Sequence, residues 1–403
     1  MSPTEQRSFR ELLGAVVVGG DYQGLGIVRS LGRAGFPVCV VDDEPSIARH
    51  SRYTTHAIRV ADLRDKRAAV ETLMELGRRL GLGGWVLFAT RDELVTALSR
   101  DRNRLSELFR VPTPAWDTVK YTADKRLTYE LAGRLGIPLP RTWHPCSLEE
   151  LDAVEPDRWP VLVKPAIKEH FIYRTRVKGW IAKDREELRR RFVDAAAIVP
   201  AGEVLVQDLI PGNGFTQYSY CTFFKGGRSL GRMVVRRRRQ HPSDLGRSST
   251  FVETIDRADL AEPSEMFLQE IDYYGLAELE YKLDKADGQY KLLDVNARTW
   301  GYHSVGHVAG VDFPLLVHLD QLGLDVAEAH AQPGVTWIRL LTDLPAAAPE
   351  LARRSLKLRD YVGSLRHIAT EASFSRDDPR PALAELVLVP HLLRTRLPKQ
   401  RKA

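Results

Sequence analysis

Apolar and polar positions alternate with a period of two through Gly275, Leu276, Ala277, Glu278, Leu279, Glu280, Tyr281 and Lys282, and again from Tyr290 to Arg298. Gly288 lies between the two arms, so the pattern predicts a β-hairpin. Successive side chains leave a strand on opposite faces. Glu278, Glu280 and Lys282 therefore share one face, with Ala277, Leu279 and Tyr281 on the other. On the return arm Asp294, Asn296 and Arg298 share a face, and Leu293, Val295 and Ala297 back onto a core. A loop over residues 285–289 would set Glu280 opposite Asp294. Elsewhere the apolar runs are short and continuous. Runs at 15–18, 36–42 and 85–89 alternate with helical stretches, which predicts a parallel sheet wrapped by helices over residues 14–117. Further strands are expected at 159–165 and 204–210, with a helix starting at Glu186, Glu187 and Leu188. Residues 118–330 make a second domain with a small lobe at about 151–206, and residues 331–403 a C-terminal region. The expected class is α/β (α+β).

Facing carboxylates repel, so a cation is expected between Glu280 and Asp294. Glu280, Asp294 and Asn296 offer oxygen ligands, one of them a neutral amide, which suit Mg²⁺, with Mn²⁺ as the other candidate. Arg298, one step along that face, suits a phosphate held by the metal. The competing reading is a solvated strand face with ordinary charges.

Four segments in order carry a resemblance. The hairpin, with an acidic residue, a second acidic residue, an asparagine and an arginine, resembles the metal-binding core of the ATP-grasp superfamily. The run Trp159, Pro160, Val161, Leu162, Val163, Lys164 resembles that family's strand whose lysine reaches the ATP phosphates. Tyr121 to Arg126 opens an amphipathic helix and matches the other nucleotide-binding lysine at Lys125. Residues 204–212 resemble the hinge that cups adenine, through Gln207, Asp208 and Ile210. The segment after Lys164 is not glycine-rich. It is similar in this to the branch holding D-aspartate ligases, carbamoyl-phosphate-synthase-like proteins and related carboxylate–amine ligases.

The resemblance implies a Rossmann-like first domain, a two-lobed ATP-grasp domain, and ATP with Mg²⁺ as the cofactors. Lys125 and Lys164 would hold the α- and β-phosphates, and Lys178 would close on the nucleotide. Arg298 would meet the γ-phosphate and then an acyl phosphate, and Arg237 and Arg239 would form the floor of the site. The implied reaction joins a small carboxylic acid to an amine, on an amino acid or an envelope, polysaccharide or natural-product precursor. A homodimer is compatible with it. Asp294 stands where glutamate is more usual, which leaves a catalytically inactive ATP-binding module as an alternative.

Composition agrees with a folded enzyme. The 403 residues are 43% hydrophobic, and no run approaches the ~20 apolar residues of a membrane span. Residues 1–10 are polar and lack a signal-peptide core, and Cys39, Cys146 and Cys221 have no CxxC spacing, so the cytoplasm is expected. His241, His303 and His307 lack the partners of a zinc site. The net charge is +6, yet no DNA-reading motif accompanies it and no nucleic-acid partner is expected. The basic residues gather at Arg236, Arg237, Arg238 and Arg239, read as facing ATP and an anionic substrate, and in a tail at Arg394, Arg396, Lys399, Arg401 and Lys402. The apolar run before that tail suggests peripheral contact with the inner face of a membrane, against a packed helix broken at Pro390.

One rival comes from another enzyme class. Gly20, Gly24 and Gly26 after a strand, with Tyr121 and Lys125 as a YxxxK pair, fit a short-chain NAD(P)-dependent reductase. The pair follows the glycines too closely for that family, and the hairpin would have no task in it. The same glycines would otherwise line a substrate site.

Overall fold

Strand β1 (Ala15–Val18) carries no polar side chain and lies fully buried inside a parallel sheet of order β3–β2–β1–β4. Its partners are β2 (Val38–Asp42), β3 (His56–Arg59) and β4 (Val86–Ala89). The computed structural model describes residues 13–396, apart from 213, 242–245, 247 and 355. The reading of residues 1–10, Pro242 of the basic strand, and the tail from Leu397 onward lie outside the described residues.

The crossover from β1 to β2 is the helix Tyr22–Arg33, capped by Asp21, whose carboxylate accepts from the Gln23 amide. Gly24 and Gly26 sit where this helix is approached most closely. A Cβ at Gly24 would meet the Gly19 carbonyl at 2.2 Å, and one at Gly26 the His303 ring at 2.6 Å. The glycine pattern therefore answers to packing. The Gly20 amide is taken by Asp42 Oδ2 at 2.6 Å, so the turn already holds an anion from the chain itself.

A second sheet, of order β5–β8–β6–β7, is antiparallel and comprises β5 (Thr142–Trp143), β6 (Val161–Pro165), β7 (Trp180–Ala182) and β8 (Val204–Asp208). The helix Arg185–Ala196 covers it with Leu188, Phe192 and Ala195, and Asp184 caps that helix through the Glu187 amide.

The third sheet runs β13–β12–β9–β10–β11–β15–β16, with β14 (Ala329–His330) beside β10. Its strands are β9 (Gln217–Lys225), β10 (Arg228–His241), β11 (Ser248–Ile255), β12 (Gly275–Asp284), β13 (Gln289–Asn296), β15 (Thr336–Ile338) and β16 (Thr370–Glu371). One face buries Tyr220, Leu279, Tyr281 and Val295 with Leu131 and Phe267 from the helices Lys125–Arg134 and Ala261–Glu270. The other face, through Cys221, Val235, Val252 and Trp337, shares a core with Leu25, Ile27 and Val40 of the first domain. Glu278 pairs with Cys221 across the ladder, so the charged residues of β12 look toward the first domain.

Two expectations need correction. Tyr121 and Lys125 do not share a helix. One helix ends at Ala123, Asp124 adopts an extended conformation, and its carboxylate caps the next helix through the Arg126 amide. Pro390 does not break the last helix, which runs Arg380–Arg396 through it.

The segment before that helix returns to the first domain. Arg29 donates to Asp378 Oδ2 at 3.0 Å and to the Ser373 and Asp378 carbonyls, while Ser51 Oγ and the Arg52 amide also donate to the Asp378 carboxylate. The Asp378 side chain is completely buried. Asp377 makes a more exposed pair with Arg33 and Tyr53. Truncating one partner of a buried pair costs about 3–5 kcal/mol, against about 1 kcal/mol or less for an exposed pair. Asp378→Ala is therefore expected to shift the urea midpoint far more than Asp377→Ala, and equal shifts would remove the distinction.

Candidate active site

The register of β12 and β13 pairs Glu280 with Asp294 and Glu278 with Asn296. Asn296 Nδ2 donates to Glu278 Oε2 at 3.1 Å and Glu280 Oε1 at 3.0 Å. From β10, two strands away, Arg237 reaches over the small Ser219 on β9 to pair with Glu280 at 2.7 Å. Burial opposes ionisation of Glu280, yet Arg237, Lys178 and Lys168 outweigh it and hold the carboxyl down to about 2. Glu278 is 3% exposed, accepts from the Tyr302 hydroxyl, and is pushed upward by burial and by Glu280.

Asp294 receives Lys125 Nζ at 2.7 Å. Lys125 opens the helix Lys125–Arg134, and its amide donates to the Ala166 carbonyl, so the backbone fixes it beside β6. Lys164 lies on β6 and donates to Tyr129 Oη at 2.7 Å and Gln207 Oε1 at 2.8 Å. Both acceptors are neutral. Burial and the proximity of Lys125 pull the Lys164 ammonium down to about 7. Burial likewise lowers Lys178 and Lys282 to about 8.

Several of these groups line one cleft between the second and third sheets that is partly open to solvent. Its walls include Lys125, Lys164, Lys178, Glu280 and Asp294, with Gln207 and Asp208 of β8 and Ile210 just beyond it. The Asp208 Oδ1 atom is buried without a hydrogen-bond partner, an acceptor open to a donor from a ligand. Arg298 lies outside this lining and donates to Asp92 Oδ1 at 2.6 Å, with Asn296 Oδ1 at 3.5 Å. Burial opposes ionisation of Asp92, but Arg298 and Lys168 hold it far below the usual carboxylate range.

Arg239 is not brought to this site. Arg237 faces Val252 across the ladder, whereas Arg239 faces Phe251, because a bulge at Arg238 shifts the register by one residue and turns Arg239 to the opposite face. Its guanidinium is bound by Asp343 at 2.8 Å and stacks on Phe251. Arg236 and Arg238 pair with Glu253. The basic run is therefore mostly neutralised within the fold, and Arg237 alone of the four faces the carboxylates of β12.

Among the described residues no three His, Cys, Asp or Glu side chains are gathered as a metal cage. Mg²⁺ does not need one, since it is commonly held by one or two carboxylates together with phosphate oxygens. Glu280 and Asp294 offer two such carboxylates, whereas Asn296 turns its Nδ2 to Glu278 and Glu280 and its Oδ1 toward Arg298.

Comparison with known proteins places this architecture. No protein-family model matches the chain. It is 24% identical over 304 residues to the D-aspartate ligase of Enterococcus faecium, covering 70% of each sequence. Among solved structures it resembles N5-carboxyaminoimidazole synthetase of Staphylococcus aureus, with TM-score 0.62, 16% identity, and 85% and 86% of the two chains covered. It also resembles the L-amino acid ligase of Bacillus licheniformis, with TM-score 0.59, 15% identity, and 77% and 74% covered. The biotin carboxylase domain of Hydrogenobacter thermophilus 2-oxoglutarate carboxylase, solved with MgADP, ADP and bicarbonate, matches at TM-score 0.65 and 16% identity over 81% and 73%. The chain shares its fold with these solved structures.

Several residues in and beside the cleft were not singled out from the sequence. Lys168 pairs with Asp92, Lys282 donates to the Gly212 carbonyl at 3.0 Å, and Tyr129 bridges Lys164 to the Leu293 carbonyl. Asp92 follows the carboxyl end of β4, where parallel sheets place functional groups, and that rule would have found it. Tyr129 carried no signal beyond lying one helical turn after Lys125.

The lowered lysines give a pH signature. A phosphate seated beside Lys164 and Lys178 favours their charged forms, so binding takes up protons once the pH exceeds about 7, where the free lysines begin to lose theirs. Affinity for Mg·ADP is expected to be highest below pH 7 and to fall steadily toward pH 9. Calorimetry in buffers of differing ionisation enthalpy measures that uptake, and a null result would separate the phosphates from both lysines.

Proposed function

We propose that the chain is an ATP-dependent carboxylate–amine ligase, which forms an amide through an acyl phosphate and releases ADP and phosphate. The observation that carries this is the placement of Lys125, Lys164, Glu280 and Asp294 on one cleft, with Asn296 donating to Glu280 behind it and Arg298 next to Asn296. Phosphoryl transfer depends mainly on positioned charge. In this reading Lys125 and Lys164 hold the nucleotide phosphates, and Glu280, Asp294 and Asn296 hold the Mg²⁺ that neutralises the transferring group. Arg298 meets the γ-phosphate, and Arg237 fixes Glu280. Lys178 closes from the small lobe, and Gln207, Asp208 and Ile210 flank the adenosine. Residues 14–117, 118–330 and 331–403 act as the first domain, the ATP-binding domain and the C-terminal region. Similarity to the D-aspartate ligase and the L-amino acid ligase favours an amino acid among the substrates.

The rival reductase reading loses its pair, since Tyr121 and Lys125 lie on separate helices and Lys125 is bound to Asp294. An inactive nucleotide-binding module would bind Mg·ATP without turning it over.

A screen for ADP release, with amino acids and other small carboxylic acids crossed against amine acceptors, tests the proposal. Lys164→Ala is expected to lose about 2–4 kcal/mol of transition-state stabilisation in any productive pair. Unchanged ADP production by that variant removes Lys164 from the reaction. Asp294→Glu is expected to stay active, and no ADP from any pair favours the inactive module.

The proposal has a separate element at the membrane. No helix among the described residues is long and apolar enough to cross a bilayer. The helix Arg380–Arg396 nevertheless exposes Leu383, Leu386 and Val387, the last at 80%, ahead of the basic residues of the tail. These support reversible contact with an anionic surface, at roughly 1 kcal/mol per basic residue. A homodimer, as in the carboxylase domain, is the expected assembly. Co-sedimentation with anionic liposomes at low salt should retain the full chain and lose it on Leu383→Ser/Leu386→Ser/Val387→Ser substitution. Equal recovery in the supernatant leaves the helix without that role.

A further inference from the structure

Directly after β6 and its Lys164, where the sequence has no glycine-rich flap, the chain forms the helix Lys168–Thr175. This flap helix belongs by sequence to the small lobe, where His170 pairs with Glu203 and Arg174 donates to the Ile198 carbonyl, yet two of its side chains reach the first domain. Lys168 Nζ pairs with Asp92 Oδ2, the Tyr173 hydroxyl donates to Glu93, and the Arg64 guanidinium lies 4.8 Å over the Tyr173 ring. Asp92 and Glu93 open the helix Asp92–Arg100 at the carboxyl end of β4. The same Asp92 carboxylate receives Arg298 from the hairpin, at 2.6 Å from Nε and 3.3 Å from Nη2. Three parts of the molecule thus meet at one side chain, whose role lies outside the reaction as described above.

Without Asp92, Lys168 and Arg298 would lose the one carboxylate that both of them pair with, and their mutual repulsion would favour movement of the flap helix away. We propose that Asp92 is a positioning residue that fastens the flap helix to the first domain and aims Arg298 in the same act. Docking of the flap and readiness of the γ-phosphate arginine are then one two-state event. The functional half of this inference rests on the ATP-grasp reading of the cleft. The mechanical half rests on Asp92, Lys168 and Tyr173 alone.

Trypsin separates the two halves, because Arg174 and Arg176 sit at the end of the flap helix, where Arg174 is already at the surface and cleavage waits on local opening of the backbone, which undocking favours. In the full chain without nucleotide, Asp92→Asn and Lys168→Met are each expected to speed cleavage there by about tenfold, the loss of one charged hydrogen bond. The double variant should be cleaved no faster than the quicker single one, because both remove the same contact. Asp92→Glu should restore part of the protection, and Tyr173→Phe should raise cleavage independently of Lys168→Met. Thermal melting identifies any variant that merely unfolds, and Lys168→Met, which leaves the first domain intact, then decides alone. Cleavage unchanged by both Asp92→Asn and Lys168→Met, or effects that add in the double variant, would overturn the latch. In any productive substrate pair Asp92→Asn should lower kcat at least tenfold more than it raises KM for ATP, and equal effects on both would overturn the aiming of Arg298. Failure of the unmodified protein to bind Mg·ADP would refute the ATP reading and, with it, the aiming claim, while the cleavage rates still decide the latch.

Discussion

The pairing of Glu280 with Asp294 across β12 and β13 sets two carboxylates one ladder step apart in a buried cleft, with Glu278 a further step along. Ionised groups so placed are stable only if cations reach them from outside the hairpin. Each cation comes from a different element: Arg237 from β10, Lys125 from the start of a helix, Lys178 from beside β7, and Arg298 from just past β13. The arrangement of lobes around the third sheet follows from that requirement as much as from apolar burial. The sheet face that carries the carboxylates is also the one packed on the first domain, so the charge cluster and the domain interface were settled together.

The same balance explains why Lys164 differs from Lys125. Lys125 has a carboxylate partner and stays charged, whereas Lys164 has only a phenol and an amide and is held near neutrality. A site with spare cationic capacity of this kind is prepared for an anion it does not supply itself. Lys178 and Lys282 extend that capacity along the cleft.

The hairpin was legible because a period of two fixes facing and loop length fixes register, and both are written in consecutive residues. The parallel sheet of the first domain was legible from continuous apolar runs for the same reason. Arg239 was misplaced because a bulge is a backbone event that alternation does not record, and the residue opposite, Phe251, lies in another segment. Asp92 and Tyr129 escaped notice because their partners, Arg298 and Lys164, are far away in the chain, and only the packed lobes bring them together. The glycines near residue 20 carried a strong local pattern with two meanings, a ligand turn or close packing, and only His303 in the folded chain chose between them.

The clamp of Asp378 on Arg29 joins residues 349 positions apart, and it closes over a helix of the first parallel sheet. During synthesis at roughly 5–20 residues per second, that helix waits many seconds with a buried-type arginine uncompensated. The first domain therefore emerges early but cannot reach its final stability until the segment around Asp378 has been made. Contacts of such long sequence separation form late and slowly, which marks this seam as the step where a nascent chain is most exposed to chaperones and to misassembly.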